Sequence, residues 1–267
     1  MSFFIFATYS NCLLEFNMDP LTSQVYKKFA QKLGPDQIAT PKALRVIDFY
    51  LLKFLKNYGP VQEVHSDPKK NKKGIGTTPG TIIEIGSGIG TITELLQIRI
   101  SQINSDFKLI CYETNEWCIN QLSKNVSSNY TLCREISQIL HSVPKNSPVF
   151  LVIDDYITND LTQDLLNELE VKYLIIEGHR FRQRKAVARL LLANPYSIKF
   201  YGNSFDSVKG AVVFDLCEPS IKFLNIFHYF RLNLQANTYI RKFNQFCGIR
   251  KRVLLKKLVR FKRKIID

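Results

Sequence analysis

Apolar residues recur along the chain first at helical spacing and then in short continuous runs. Between Pro20 and Tyr58 the spacing of three to four residues predicts helices, and Pro41 suits the first turn of the second helix. Further along, β-rich runs predict strands at 81–86, 107–113, 130–134, 148–156, 171–179, 197–202 and 210–216. Helical segments separate most of these strands, beginning near 91 and 116 and covering 161–169 and 180–194.

This alternation of strands and helices predicts an α/β fold. Continuous apolar strands are buried on both faces, so we expect a doubly wound, mainly parallel sheet with helices on both sides. Between Gly59 and Gly80 the composition shifts to Pro, Gly, Lys, Asn and Thr, which is typical of an exposed loop. We therefore predict an N-terminal helical cap and loop over 1–80, an α/β core over 81–219 and a helical C-terminal addition over 220–267.

The formal net charge of +14 is concentrated near the C-terminus. The segment from Ile221 to Asp267 contains thirteen Lys or Arg against one acid, which accounts for +12 of the total. Val253, Leu254, Leu258 and Phe261 alternate with these cations, as in a basic amphipathic helix. Such a helix binds an anionic membrane surface or RNA phosphates, or it covers the sheet with its apolar stripe and leaves its charges in solvent.

The rest of the composition indicates an ordinary globular protein of the cytoplasm. With 45% hydrophobic residues in 267, the chain is able to bury a sizeable core. Its six cysteines lack the spacing of a zinc site or a disulfide scaffold, so we expect reduced thiols. The apolar start of the chain has neither a basic leader nor a small-residue cleavage site, and we expect no signal peptide. We predict a cytoplasmic location, with attachment to a membrane surface as the alternative if the basic segment binds lipid.

A glycine-rich turn links the first predicted strand of the core to the next helix. Its sequence is Glu84-Ile-Gly86-Ser87-Gly88-Ile-Gly90, and its glycines permit close backbone approach while its amides are free to face a ligand. A nicotinamide-binding fingerprint requires its third glycine one position later, at Thr91. The turn therefore predicts a cofactor site that is not a dinucleotide site.

This turn resembles the first motif of class I S-adenosylmethionine-dependent methyltransferases, in which an acid and one apolar residue precede GxGxG. The resemblance covers about residues 81–216, including a final strand pair that closes the sheet with one reversed strand. It implies S-adenosylmethionine as cofactor, bound by Glu84, Gly86, Ser87, Gly88 and Gly90. From the residues themselves we expect no resident metal. It further implies that Glu113, at the end of the second strand, binds the ribose hydroxyls. Residues 133–135 then approach the adenine.

Polar side chains after two later strands are the candidates for catalysis. Asp154, Asp155 and Tyr156 follow one strand, and Glu177 and His179 follow the next, at the sheet edge where ligands bind in such folds. We expect Asp154 to contribute to both cofactor binding and catalysis, and His179 to be the preferred base because imidazole titrates near neutral pH. The structural alternative is that Asp154 anchors the following loop and His179 satisfies backbone groups. A divalent cation held by these acids and His179 is a further alternative.

The sequence therefore predicts methyl transfer to an oxygen of a small-molecule or glycan-like acceptor, with nitrogen as the second choice. The run Arg180, Arg182, Arg184 and Lys185 has two interpretations, an anionic-acceptor site and a solvated helix face. The competing hypothesis is a non-catalytic binding module whose basic C-terminal segment attaches it to RNA or an anionic membrane.

Overall fold

A computed structural model describes residues 20–34, 38–59, 79–103, 106–178, 180–191, 196–201 and 210–219. The helices in these ranges are α1 (Pro20–Ala30), α2 (Pro41–Tyr58), α3 (Thr91–Ile103), α4 (Glu116–Asn125), α5 (Ile136–Ser142), α6 (Asn159–Glu168) and α7 (Phe181–Leu191). The strands are β1 (Thr81–Ile85), β2 (Lys108–Tyr112), β3 (Thr131–Cys133), β4 (Pro148–Ile153), β5 (Glu170–Glu177), β6 (Tyr196–Tyr201) and β7 (Ala211–Pro219). Each strand and helix predicted between 20 and 219 is present, with ends shifted by a few residues.

All the strands join one sheet in the order β3-β2-β1-β4-β5-β7-β6. The pairs from β3 to β5 are parallel, whereas β7 runs antiparallel to both β5 and β6. The predicted doubly wound, mainly parallel sheet with a reversed terminal strand is therefore confirmed. The chain order reverses between β1 and β4, so the carboxyl ends of these two strands border the crevice where open α/β sheets bind ligands.

Helices cover both faces of the sheet, as the continuous apolar strands predict. One hydrophobic cluster joins α1, α2, α3 and Leu122 of α4 to the face that carries Ile82, Phe150 and Tyr173. A second cluster joins α5, α6 and α7 to the face that carries Ile83, Leu151 and Phe214. Polar side chains start several of these helices: Thr40 and Thr158 accept hydrogen bonds from the first-turn amides of α2 and α6, which is the usual role of an N-cap.

The N-terminal helices belong to one of these layers and pack directly on the sheet. The Phe54 ring of α2 lies 5.6 Å from the Phe150 ring and 5.7 Å from the Phe107 ring, centroid to centroid. Asp48 of α2 forms a largely buried ion pair with Arg99 of α3, with two nitrogen–oxygen contacts of 2.6 and 2.7 Å. Residues 20–58 therefore share the core of the sheet. The predicted loop at 60–78 and the predicted helical addition at 220–267 lie outside the described residues.

No helix within the described ranges has an apolar stretch long enough to span a bilayer.

Candidate functional site

The glycine-rich turn lies at the carboxyl end of β1, where the sheet topology predicts a ligand. Gly86, Gly88 and Gly90 have φ angles of +84°, +54° and +100°, a region that side chains with a Cβ disfavour. The Gly86 amide donates to the Tyr112 carbonyl at 2.8 Å, which ties the turn to the end of β2. The turn then runs into α3, whose first residue is Thr91. Its strand–turn–helix context is the one that the sequence predicted.

Two of the three glycines are also required by packing inside the protein. A Cβ on Gly86 would lie 2.8 Å from the Asp155 nitrogen and 2.9 Å from the Asp154 carbonyl carbon. A Cβ on Gly90 would lie 2.8 Å from a methyl carbon of Leu122 on α4. These glycines therefore let the turn approach the end of β4 on one side and α4 on the other.

Glu113 lies directly beside the turn, as the methyltransferase resemblance implies. Its side chain is buried, and its Oε2 accepts a hydrogen bond from the Gly88 amide at 2.8 Å. Its Oε1 accepts from the amides of Thr114 and Asn115, both at 2.9 Å. A carboxylate has about four acceptor positions, so three backbone donors leave roughly one position for a ligand hydroxyl.

Glu84 lies on β1, on the same face of the sheet as Ile82, and is fully buried. Its Oε2 accepts from the Thr93 hydroxyl at 2.6 Å, and the Cys111 thiol lies 3.6 Å from the same oxygen. Burial raises the pKa of Glu84 to about 8, and the negative charge of Asp154 adds to the effect. Neither Thr93 nor Cys111 was predicted as a site residue. Their positions, two residues into α3 and opposite Glu84 in the β1–β2 register, become evident only once the strands are paired.

Three buried polar atoms around the turn have no hydrogen-bond partner of good geometry in the described part of the chain. They are Glu84 Oε1, Ser87 Oγ and Thr91 Oγ1. Buried polar atoms are rarely left unpaired, because each loses its hydration without compensation. An unpaired acceptor and two hydroxyls next to a glycine turn therefore fit a polar ligand bound at this position.

Asp154, at the end of β4, is paired with a cation. Its Oδ1 lies 2.9 Å from Nη1 of Arg180, and its carbonyl accepts from Nη2 of the same side chain. Its amide donates to the Ile85 carbonyl at 2.7 Å, so it also lies next to the glycine turn. Asp154 therefore has the anchoring contacts that the structural alternative requires. His179, the preferred base, lies outside the described residues.

The arginine run after β5 matches neither of its two interpretations in full. Arg182 is exposed, as expected for a solvated helix face, but Arg184 is buried and donates to the Gly178 and Gly210 carbonyls. Burial lowers the pKa of Arg184 to about 10. Arg184 thus connects the end of β5 to the start of β7. The sequence pattern did not reveal this role, because charged side chains are ordinarily expected at the surface.

The residues expected near the adenine, 133–135, are partly engaged in other contacts. The Cys133 carbonyl accepts from the Glu113 amide at 3.2 Å, which brings the end of β3 next to Glu113. Arg134 pairs with Glu116 on the surface, and Glu135 caps α5 in a reciprocal arrangement with Gln138. For the metal alternative, no cluster of three or more His, Cys, Asp or Glu suited to a cation occurs among the described residues.

Comparison with known proteins returns structural likeness without sequence similarity. No family model and no curated protein match the sequence. Solved methyltransferases have a similar fold.

The SAH-bound methyltransferase PaMTH1 from Podospora anserina is 7% identical, with a TM-score of 0.49 over 82% of this chain and 97% of that one. The human methyltransferase 10 domain containing protein is 11% identical, with a TM-score of 0.43 over 73% and 98%. TrmK from M. capricolum, solved with S-adenosyl-homocysteine, is 14% identical, with a TM-score of 0.37 over 53% and 64%. At these identities the likeness concerns the arrangement of strands and helices alone.

Proposed function

We propose that this protein binds S-adenosylmethionine in the glycine turn and transfers its methyl group to an oxygen of a small-molecule or glycan-like acceptor. The observation that carries the proposal is the contact between Glu113 and the Gly88 amide at 2.8 Å. It brings the acid after β2 and the turn after β1 together at the point where the strand order reverses. A nucleoside lying over the turn would present its ribose hydroxyls to the remaining acceptor position of Glu113.

The unpaired polar atoms support the same ligand. S-adenosylmethionine has an amino acid end whose ammonium requires acceptors. Glu84 Oε1 is a buried acceptor without a partner of good geometry among the described residues, and the hydroxyls of Ser87 and Thr91 flank the turn. When an ammonium replaces the missing partner, it favours ionisation of Glu84 and offsets part of the cost of burying its charge. The residues present therefore fit this cofactor.

The bound cofactor supplies an electrophilic methyl group on a sulfonium. An acceptor oxygen that took up this methyl group would have to release its proton to a base supplied by this chain. We propose His179 for this role because it comes two positions after the last residue of β5 in the sequence and imidazole titrates near neutral pH. Asp154 is engaged by Arg180, so its proposed contribution is to orient this edge of the sheet rather than to accept the proton.

Calorimetric titration with S-adenosylhomocysteine tests the cofactor assignment before any acceptor is found. We expect Glu113→Gln to weaken binding roughly tenfold or more, because hydrogen bonds to charged groups contribute about 1.5–3 kcal/mol. Glu116→Gln is the matched control, since Glu116 is an exposed acid three residues further on that pairs with Arg134. Wild-type protein that shows no binding, or equal affinity of the two variants, would contradict the assignment.

The non-catalytic alternative has one observation in its favour. The carboxylate of Asp154 is occupied by Arg180, so this acid is not free to act as a base in the ligand-free protein. In this alternative the basic segment at 221–267 attaches the protein to RNA or to an anionic membrane. Cofactor binding without any methyl transfer to cell extract, measured with a labelled methyl group, would favour the alternative.

A further inference from the structure

A single side chain, Arg180, joins the carboxyl ends of β4 and β5. Its guanidinium folds back over Gly178, which has a φ angle of +76° and where a Cβ would collide with Arg180 Nη1. Nη1 lies 2.9 Å from Asp154 Oδ1 and donates to the Glu177 carbonyl at 3.0 Å. Nη2 donates to the Asp154 carbonyl. The Arg180 guanidinium thus binds both the carboxylate and the backbone carbonyl of Asp154.

The β5 side of this link is firmly fixed. The buried Arg184 donates to the Gly178 carbonyl and, at 2.5 Å, to the Gly210 carbonyl just before β7. The Gly178 amide also donates to the Gly210 carbonyl at 2.9 Å. The carboxylate of Glu177 is buried, and its Oε2 lies 3.8 Å from Arg180 Nη1. The end of β5 is therefore a rigid support for the Arg180 guanidinium.

The β4 side of the link touches the glycine turn. The Asp154 amide donates to the Ile85 carbonyl at 2.7 Å, and the backbone of residues 154–155 leaves no space for a Cβ on Gly86. In such close packing a shift of the backbone at 154–155 also shifts Gly86, since interiors deform little without rearranging. A partly buried ion pair adds little net stability over a well-packed apolar pair, whereas removal of one partner leaves the other charge buried and unpaired.

We propose that Arg180 is a positioning residue that holds the backbone at 154–155 against Gly86 and thereby keeps the glycine turn in its ligand-binding conformation. The affinity for cofactor then depends on a side chain on the far side of β4 from the turn. This inference rests on the proposed function for its ligand, but its structural part is measurable without one.

Amide hydrogen exchange of the ligand-free protein tests the structural part. Arg180→Met removes the guanidinium and its hydrogen bonds. We expect amide exchange in segments 84–90 and 154–156 to become tenfold faster or more. Arg182→Met is the matched control, because it removes an exposed arginine two residues further on, in the first turn of α7, and it should exchange like wild type. Arg180→Lys keeps the positive charge but lacks the planar guanidinium with its several donors, so its exchange rates should fall between those of wild type and Arg180→Met.

Calorimetry with S-adenosylhomocysteine on the same proteins completes the test. We expect affinity to fall tenfold or more in Arg180→Met and to stay unchanged in Arg182→Met. If wild type does not bind, the proposed function fails, while the exchange data still decide on the positioning role. Unchanged exchange in Arg180→Met, or equal affinity of both variants, would overturn the positioning role. If Arg180→Met does not fold, Arg180→Lys is compared with Arg182→Met by the same two criteria.

Discussion

Replacing Glu84 with glutamine should remove a pH dependence from the stability of the protein. Glu84 is fully buried on β1, and its pKa in the folded state is about 8, against an ordinary value of 4.5. Between these two pH values the unfolded chain releases the proton while the folded protein keeps it. The stabilisation from the neutral carboxyl is therefore complete at pH values below the ordinary pKa of 4.5, and it is lost as pH rises through the folded-state pKa of about 8.

The expected magnitude follows from the difference between the two pKa values. Each unit of difference corresponds to about 1.4 kcal/mol, so the wild type should lose roughly 3 kcal/mol of unfolding free energy between about pH 5 and pH 8 through this group. Glutamine does not titrate and has nearly the same shape. The advantage of Glu84→Gln over wild type should therefore grow by roughly 3 kcal/mol across this range.

Urea denaturation of both proteins at several pH values measures this difference. Glu168→Gln, at an exposed glutamate at the end of α6, is the control and should follow the wild-type curve. A constant difference between Glu84→Gln and wild type from pH 5 to pH 8 would refute the reasoning, because it would mean that Glu84 is ionised in the folded protein throughout.

Three further outcomes are expected from the sequence and the site together. Gly88→Val should abolish binding of S-adenosylhomocysteine in calorimetry, because it places a branched side chain on the turn at a φ angle of +54°. A residue with a side chain pays about 1–2 kcal/mol for this left-handed conformation, so the thermal midpoint of the variant serves as the folding control. Once an acceptor is known, His179→Ala should lower the turnover number at least a hundredfold with unchanged cofactor affinity; full activity in this variant would place the base elsewhere. Binding of the full chain to anionic liposomes or RNA should fall steeply between low and physiological salt, and Leu254→Ser/Leu258→Ser should weaken only liposome binding; no binding at low salt would leave the basic segment without either partner.

The candidate site was only partly predictable from the sequence. The Gly86–Gly90 turn and Glu113 were found because their chemistry is local: glycines at fixed spacing after a strand, and an acid at the end of the next one. Thr93 and Cys111 were missed, and Arg180 was considered only as part of an anionic-acceptor site or a solvated helix face, since each acquires its role through a contact with a residue that is not its neighbour in sequence. Thr93 and Cys111 reach Glu84 from a helix and a neighbouring strand, and Arg180 reaches Asp154 across 26 positions.

The sequence by itself determined the order and type of the elements from Pro20 to Pro219, except for the short helix α5, and the place of the glycine turn between β1 and α3. These features follow from the period of apolar residues and from backbone preferences, which act over a few neighbouring positions. Only the tertiary structure decided which ionisable side chains are buried. Glu84 and Arg184 carry side chains that ordinarily remain in water, and their burial depends on hydrogen-bond partners from elsewhere in the fold: Thr93 and Cys111 for Glu84, and the carbonyls at the ends of β5 and β7 for Arg184. Those partners are brought together by the pairing of the strands, which no local pattern encodes.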